Sequence, residues 1–335
     1  MKQALKYLVY RVLYPFLIVI NFDKILRNLS EKKRLIIFFH GVATRDAFQI
    51  NGRHMPIDQF EKLLQYFVDN FEVVSLEKIC KLDDRGSGRK RIALTFDDGF
   101  LNNLEVALPL LEKYQLPATF FVSSICMESK EYVHPSDFLD LVKIKTVGNR
   151  IEIGSEIFTK SRNQLLNIRD GQSVYNFIEK LPLIELKTYL AVLEARHERA
   201  SLVKNINEEL YKLVSKDAVQ KLASGRLVTV GSHGHLHVNL NMLSSEDIGE
   251  QLNYSKLSLE KYSHKPVECL AFPYGHFNET VIELAKNAGF VYLFAGGDVE
   301  KKYERVVFPR IGVSNMRNFA FNVLSINRGF RRFGF

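Results

Sequence analysis

Eight short, mostly apolar runs punctuate the chain, at residues 35–39, 71–74, 91–96, 118–122, 227–230, 268–272, 290–295 and 305–308. The first, Leu35-Ile36-Ile37-Phe38-Phe39, is compact enough to read as a strand buried on both faces. Helical patterns lie between the runs that are close together. Phe60, Leu63, Leu64 and Phe67 share one helix face, as do Ile248, Leu252, Ser255 and Leu259 after the start signal Ser244-Ser245-Glu246-Asp247. Val281, Ile282 and Ala285 follow Asn278, a capping residue, and Gly289 closes that helix. Strand alternating with helix predicts an α/β fold with a parallel sheet.

One stretch breaks the alternation. Between Phe120-Phe121-Val122 and Leu227 the chain is charged and helical in character, with Leu183, Leu186, Leu190 and Leu193 on one stripe. The pattern predicts a helical insert over about residues 126–225, with that stripe packed internally. Set over the mouth of the sheet, such an insert shapes substrate choice.

The polar residues of interest share a position. His40, Asp97, Asp98, His233 and Tyr274 all lie just beyond the C-terminal ends of the predicted strands. Barrel active sites are built from those ends. An open doubly wound sheet also binds ligands there, but no Gly-rich phosphate loop is present to support a nucleotide fold.

Asp97-Asp98-Gly99 has two readings. Two carboxylates at the end of a buried strand call for a cation or a shifted pKa, yet Asp-Asp-Gly is also ordinary turn chemistry. Ser232-His233-Gly234-His235-Leu236-His237 tips the balance toward a metal, because it gathers three of the nine histidines within six positions. His235 is open between a third ligand, a rim residue and a partner of the ligands. With Asp98 completing a two-His-one-carboxylate set, the first of these is the least needed.

These segments, with Phe272-Pro273-Tyr274-Gly275, resemble the polysaccharide deacetylase family, also called the NodB-homology or carbohydrate esterase 4 family. Thr95-Phe96-Asp97-Asp98-Gly99 matches its first motif, Ser232-His233 through His237 its His-Ser/Thr-x-x-His motif at both histidines, and the Tyr274 segment its Arg-x-Pro-Tyr motif. The resemblance covers roughly residues 33 to 315 less the insert. It implies a distorted (β/α)7-type barrel, with the insertion between the first two metal motifs. It also implies a metal held by Asp98, His233 and His237, Asp97 as general base, and the Tyr274 backbone N–H as oxyanion donor. The metal implied is divalent, Zn²⁺ first, with Co²⁺, Ni²⁺, Mn²⁺ or Fe²⁺ tolerated by such a set. The reaction implied is hydrolysis of acetamido groups on an N-acetylated glycan or oligosaccharide, such as a cell-surface glycan. A carbohydrate O-acetyl esterase and a non-catalytic carbohydrate binder are the alternatives.

Two departures bear on that reading. Ala271 stands where the family's third motif carries Arg, and Arg310 is the candidate replacement, unless it is a surface residue at a strand start. No His follows His276, so the family's C-terminal Leu-x-His acid is absent. His40-Gly41-Val42 resembles the opening segment of the poly-N-acetylglucosamine deacetylase branch, which makes His40 the candidate acid, unless it merely caps its strand. His54 and His276 are weaker alternatives.

Composition adds bounds. At 335 residues and 46% hydrophobic content, the chain can bury the core of one elaborated domain, residues 31–335. A formal charge of +8 favours an anionic surface, whether an acidic glycan, a diphosphate-linked glycan or a membrane. No recognition module for nucleic acid is seen. Cys80, Cys126 and Cys269 are odd in number and far apart, which favours free thiols and a reducing compartment. Within the N-terminal segment 1–30, residues 5–20 are apolar, but Lys6 and Arg11 interrupt them, and no small-residue cleavage site follows. They suit either an interfacial helix or a helix packed on the barrel. The expected location is the cytoplasm or the cytoplasmic membrane face.

Overall fold

A computed structural model describes residues 8–30, 34–44, 51–81, 88–129, 132–161, 164–196, 202, 206–313 and 318–328. Seven parallel strands close on themselves: β1 (Arg34–Phe39), β2 (Arg91–Phe96), β3 (Ala118–Val122), β4 (Val228–Ser232), β5 (Cys269–Ala271), β6 (Tyr292–Gly296) and β7 (Val307–Gly312). Each pairs with the next in sequence, and β7 returns to β1 through Ile37 opposite Ile311. The predicted (β/α)7 barrel is therefore present. All eight apolar runs become strands; the eighth element, Glu72–Val73, pairs with the start of β2, ahead of the point where β3 joins it at Leu94.

Strand side chains alternate between two cores. Ile36, Ala93, Phe121, Cys269, Ala271 and Phe294 form a buried cluster closed at one end by Leu76 and Ile79 of the short helix Leu76–Cys80. The intervening residues Leu35, Ile37, Leu94, Phe120, Leu270 and Leu293 face the helical shell. Helix α1 (Phe22–Leu29) meets helix α2 (Ile57–Asn70) where Tyr66 OH donates to the buried Asp23, and α2 belongs to that shell and buries the predicted Phe60, Leu63, Leu64 and Phe67. Methyl and ring burial of this kind contributes about 1.5–3 kcal/mol per large side chain.

The segment between β3 and β4 has its own core of Phe138, Leu139, Val142, Ile151, Phe158 and Leu165. Its helices are α3 (Pro135–Lys145) and α4 (Leu183–Arg196), and the expected stripe packs inward, with Leu186 and Leu193 buried. It also holds a three-stranded antiparallel sheet, Arg150–Ile153, Glu156–Ser161 and Gln164–Asn167, which the helical reading did not anticipate. Each of these strands has only four to six residues, too short for a period of two to stand out amid charged positions. Helix α5 (Lys216–Ser224) falls within the 126–225 span, yet it buries Val219 and Leu222 in the barrel shell.

Helix α6 (Ser245–Ser263) starts where Ser244 Oγ accepts the Asp247 N–H at 3.1 Å. Helix α7 (Glu279–Asn287) starts on Asn278 Oδ1, which accepts from Val281 N–H at 2.9 Å. The last helix, α8 (Phe319–Arg328), packs on α1. All three cysteines are free and buried.

Candidate active site

Strand β2 ends by handing the Asp97 N–H to Phe39 O at 2.9 Å, and the chain then turns sharply. Asp98 takes φ +73° and Gly99 φ +77°. The turn aims Asp98 Oδ1 at two imidazoles, 3.0 Å from His237 Nε2 and 3.4 Å from His233 Nε2. His233 enters this position because its N–H continues the β3–β4 ladder to Val122 O at 2.9 Å. Its Nδ1 donates to Ala271 O at 2.8 Å, which fixes the tautomer and leaves a lone pair on Nε2.

Backbone strain is concentrated here. Asp98, His237 and Tyr274 are three of the six non-glycine residues with positive φ among those described. Left-handed backbone costs an L-residue about 1–2 kcal/mol, so the surrounding packing must hold each of them in place.

The three donor atoms of Asp98, His233 and His237 lie within 4.8 Å of one another, all buried. Nitrogen lone pairs facing a carboxylate oxygen repel unless a cation or a proton sits between them. Burial disfavours ionised Asp98, yet the facing imidazoles of His237 and His40 hold its carboxyl well below the usual range. Burial likewise opposes a charged His233, but Asp97 and Asp98 raise its pKa. The site draws positive charge, and its two nitrogens and one oxygen fit a divalent transition metal.

Asp97 is turned to a different partner. Arg310 on β7 grips it with both Nη atoms, at 2.7 and 2.8 Å, and also donates to Thr95 Oγ1 at 3.2 Å. Arg310 is 1% exposed, which rules out a surface arginine. Its guanidinium lies 4.8 Å from the Phe38 ring centre and 5.2 Å from that of Phe121. Glycines make room for those rings: a Cβ on Gly231 would sit 2.6 Å from Phe121, and one on Gly312 2.8 Å from Phe38. Burial alone would raise the Asp97 pKa, but Arg310 and His233 bring it down, so Asp97 is an ionised carboxylate.

His40 follows β1 and lines the same cavity as Asp97 and Asp98. Burial lowers its pKa against the pull of the Asp98 and Asp97 carboxylates. Tyr274, in the turn after β5, places its ring 4.9 Å from that of His237. His235 stands apart from the trio, with Nδ1 2.8 Å from Ser124 Oγ. His54 and His276 do not line the cavity; His54 binds Asn102 at 2.8 Å, and His276 faces Glu179 at 3.7 Å.

The far wall was not foreseen from sequence. His134, which is 1% exposed, donates from Nε2 to Asp98 O at 2.9 Å and lies 4.5 Å from the His237 ring. Burial, aided by His237, pushes its pKa down to about 3, so it is a neutral donor. Arg53 bonds to Asp137 and, at 2.8 Å, to Asp140, while Tyr175 and Glu179 complete the lining. The available signal was Val133-His134-Pro135-Ser136-Asp137, a helix start with Pro in its first turn. It does not say which barrel loop that helix will meet.

The family model for polysaccharide deacetylases matches residues 84–155 and 186–293, more than half of the chain. The chain belongs to the polysaccharide deacetylase family. Among solved structures, IcaB from Ammonifex degensii superposes with a TM-score of 0.56 at 16% identity, over 88% of this chain and 97% of that one. The Streptococcus pyogenes deacetylase PplD, solved in complex with acetate, gives 0.55 at 14% identity, over 87% and 96%. At these identities the likeness is one of fold. YxkH of Bacillus subtilis (strain 168), whose name assigns it provisionally to the polysaccharide deacetylases, is 28% identical over 90 residues, 26% of this chain. That match spans only 30% of YxkH. As a polysaccharide deacetylase the chain departs at Ala271, whose carbonyl orients His233 while the guanidinium on Asp97 comes from β7.

Proposed function

We propose that this polysaccharide deacetylase is a metal-dependent hydrolase that removes acetyl groups from N-acetylated sugars of a glycan. The observation that carries the reading is the division between adjacent carboxylates. Asp98 faces two imidazoles, and Asp97 is held ionised by Arg310 on the same cavity. A divalent cation on Asp98, His233 and His237, Zn²⁺ by preference, supplies Lewis acidity toward the acetyl carbonyl.

The remaining roles fall to the chain. Asp97 accepts the proton of the attacking water, and Arg310 keeps that carboxylate aimed and charged. The Tyr274 N–H donates to the developing oxyanion; such a donor is typically worth about 2.7–4 kcal/mol of barrier. His40, in its protonated form, delivers the proton that the departing nitrogen needs. The cavity, about 330 Å³, is at the small end of ligand sites and takes one acetamido sugar rather than a buried oligosaccharide.

The test is acetate release from N-acetylated and O-acetylated oligosaccharides, with and without added Zn²⁺, by the wild type, Asp97→Asn and His40→Ala. The proposal expects metal-stimulated release from the N-acetylated substrates, and both variants inactive while still binding metal. Preference for the O-acetylated set makes the protein an esterase. A metal-loaded wild type inert across the panel makes it a binder.

A further inference from the structure

The helices ahead of the barrel carry two different faces. One is turned inward: Tyr10 and Tyr14 lie 5.5 Å, centre to centre, from the Phe321 ring of α8, and Ile18 reaches the main core. Asp23, the single acidic residue of the segment, is also turned in, where it accepts from Tyr66 OH at 2.5 Å. The other face is apolar and bare. Leu8, Val12, Phe16 and Val19 repeat at helical spacing over residues 8–19 and are 54%, 53%, 56% and 78% exposed. Leu13, Ile20, Ile25 and Leu29 widen the patch. Arg11 and Lys24 are exposed within it, with no acidic side chain exposed among residues 8–30. A patch of this kind marks an interaction surface.

Charge decides what covers it. Residues 8–30 and α8 hold Arg11, Lys24, Arg27 and Arg328 against Asp23 alone, a net +3. The barrel and insert between them are close to neutral. A second copy brought against this face would set like charge on like charge. No helix among the described residues is long and apolar enough to cross a membrane, so the geometry is that of a helix lying along a surface.

We propose that the layer formed by residues 8–30 and α8 docks on an anionic lipid bilayer, with Leu8, Val12, Phe16 and Val19 immersed at the headgroup boundary. Arg11 and Lys24 then meet lipid phosphates, and the barrel is held at the membrane surface. Juxtamembrane Lys and Arg each strengthen such binding about fivefold.

The test is co-sedimentation of the full chain with phosphatidylcholine vesicles made with and without phosphatidylglycerol. The expected result is binding at least tenfold tighter to the anionic vesicles and weakened by salt. Phe16→Glu with Val19→Glu should abolish it. Arg11→Glu with Lys24→Glu should weaken it more than twentyfold, at an unchanged melting temperature, since these side chains are exposed. Equal partition onto both vesicle types, no partition at all, or variants that bind like wild type would overturn the proposal. So would a concentration-dependent dimer in sedimentation equilibrium that Phe16→Glu with Val19→Glu dissolves, because the face would then belong to a second copy.

Discussion

Arg310 and Asp97, 213 residues apart in sequence, form a two-pronged pair that is buried on both sides. Removing one partner of a buried pair strands the other. Arg310→Met should therefore destabilise the fold by about 3–5 kcal/mol. Adding Asp97→Asn should restore part of that loss, as read by a double-mutant cycle in urea. If the single and double variants unfold alike, the pair does not hold the base in place.

Acid should unfold this protein in part through His54, one of two buried imidazoles, with His134, whose pKa is pushed down to about 3. Burial, with Arg53 and His40 adding to it, pushes the His54 imidazole down to about 3 from an ordinary 6.5. Between those values the unfolded chain binds a proton that the folded one refuses, so stability falls as pH drops. The slope is about 1.4 kcal/mol per pH unit for one such group. His54→Gln should give a shallower loss of stability between pH 6 and 4 in denaturation curves. A slope equal to wild type places the acid sensitivity elsewhere.

A cation on the trio would bind the folded state alone. At about a thousandfold above its dissociation constant it should add about 4 kcal/mol of stability. Thermal melts with Zn²⁺ and with a chelator should differ for the wild type and coincide for His233→Ala and Asp98→Asn. A Zn²⁺-dependent shift that survives in both variants would locate the metal elsewhere.

Gly231→Ala and Gly312→Ala press a methyl group into the rings that enclose Arg310. Overpacking of this kind costs about 1–3 kcal/mol. The melting temperature should drop in both, and turnover should fall more than substrate binding, because the carboxylate being aimed is Asp97. Unaltered turnover in both would show that the ring sandwich does not position the base.

A role of the far wall in substrate recognition is open to a kinetic test. Tyr175→Phe and Glu179→Gln alter side chains that line the cavity but are not among the three candidate metal ligands. Steady-state kinetics on an N-acetylated oligosaccharide should show KM raised up to about tenfold with kcat little changed, as expected for uniform binding contacts. A fall in kcat at constant KM would instead assign them to the chemistry.

The barrel strands and the site's inner half were legible in sequence because both depend on local patterns. Buried parallel strands need unbroken apolar runs, and Asp97-Asp98-Gly99, His233 and His237 sit where those runs end. Helix starts at Ser244 and Asn278 were legible for the same reason, since a cap acts on N–H groups only a few residues away. Tertiary structure alone decided which of two fates befell Arg310, because a strand-start arginine and a buried carboxylate clamp have the same local sequence. It also brought His134, Arg53 and Tyr175 to the cavity. Their approach is set by how the inserted segment's separate core, around Phe138 and Phe158, seats against the barrel loops. That packing is long-range and leaves no periodic trace along the chain, whereas the strands write theirs directly into the order of apolar and polar residues.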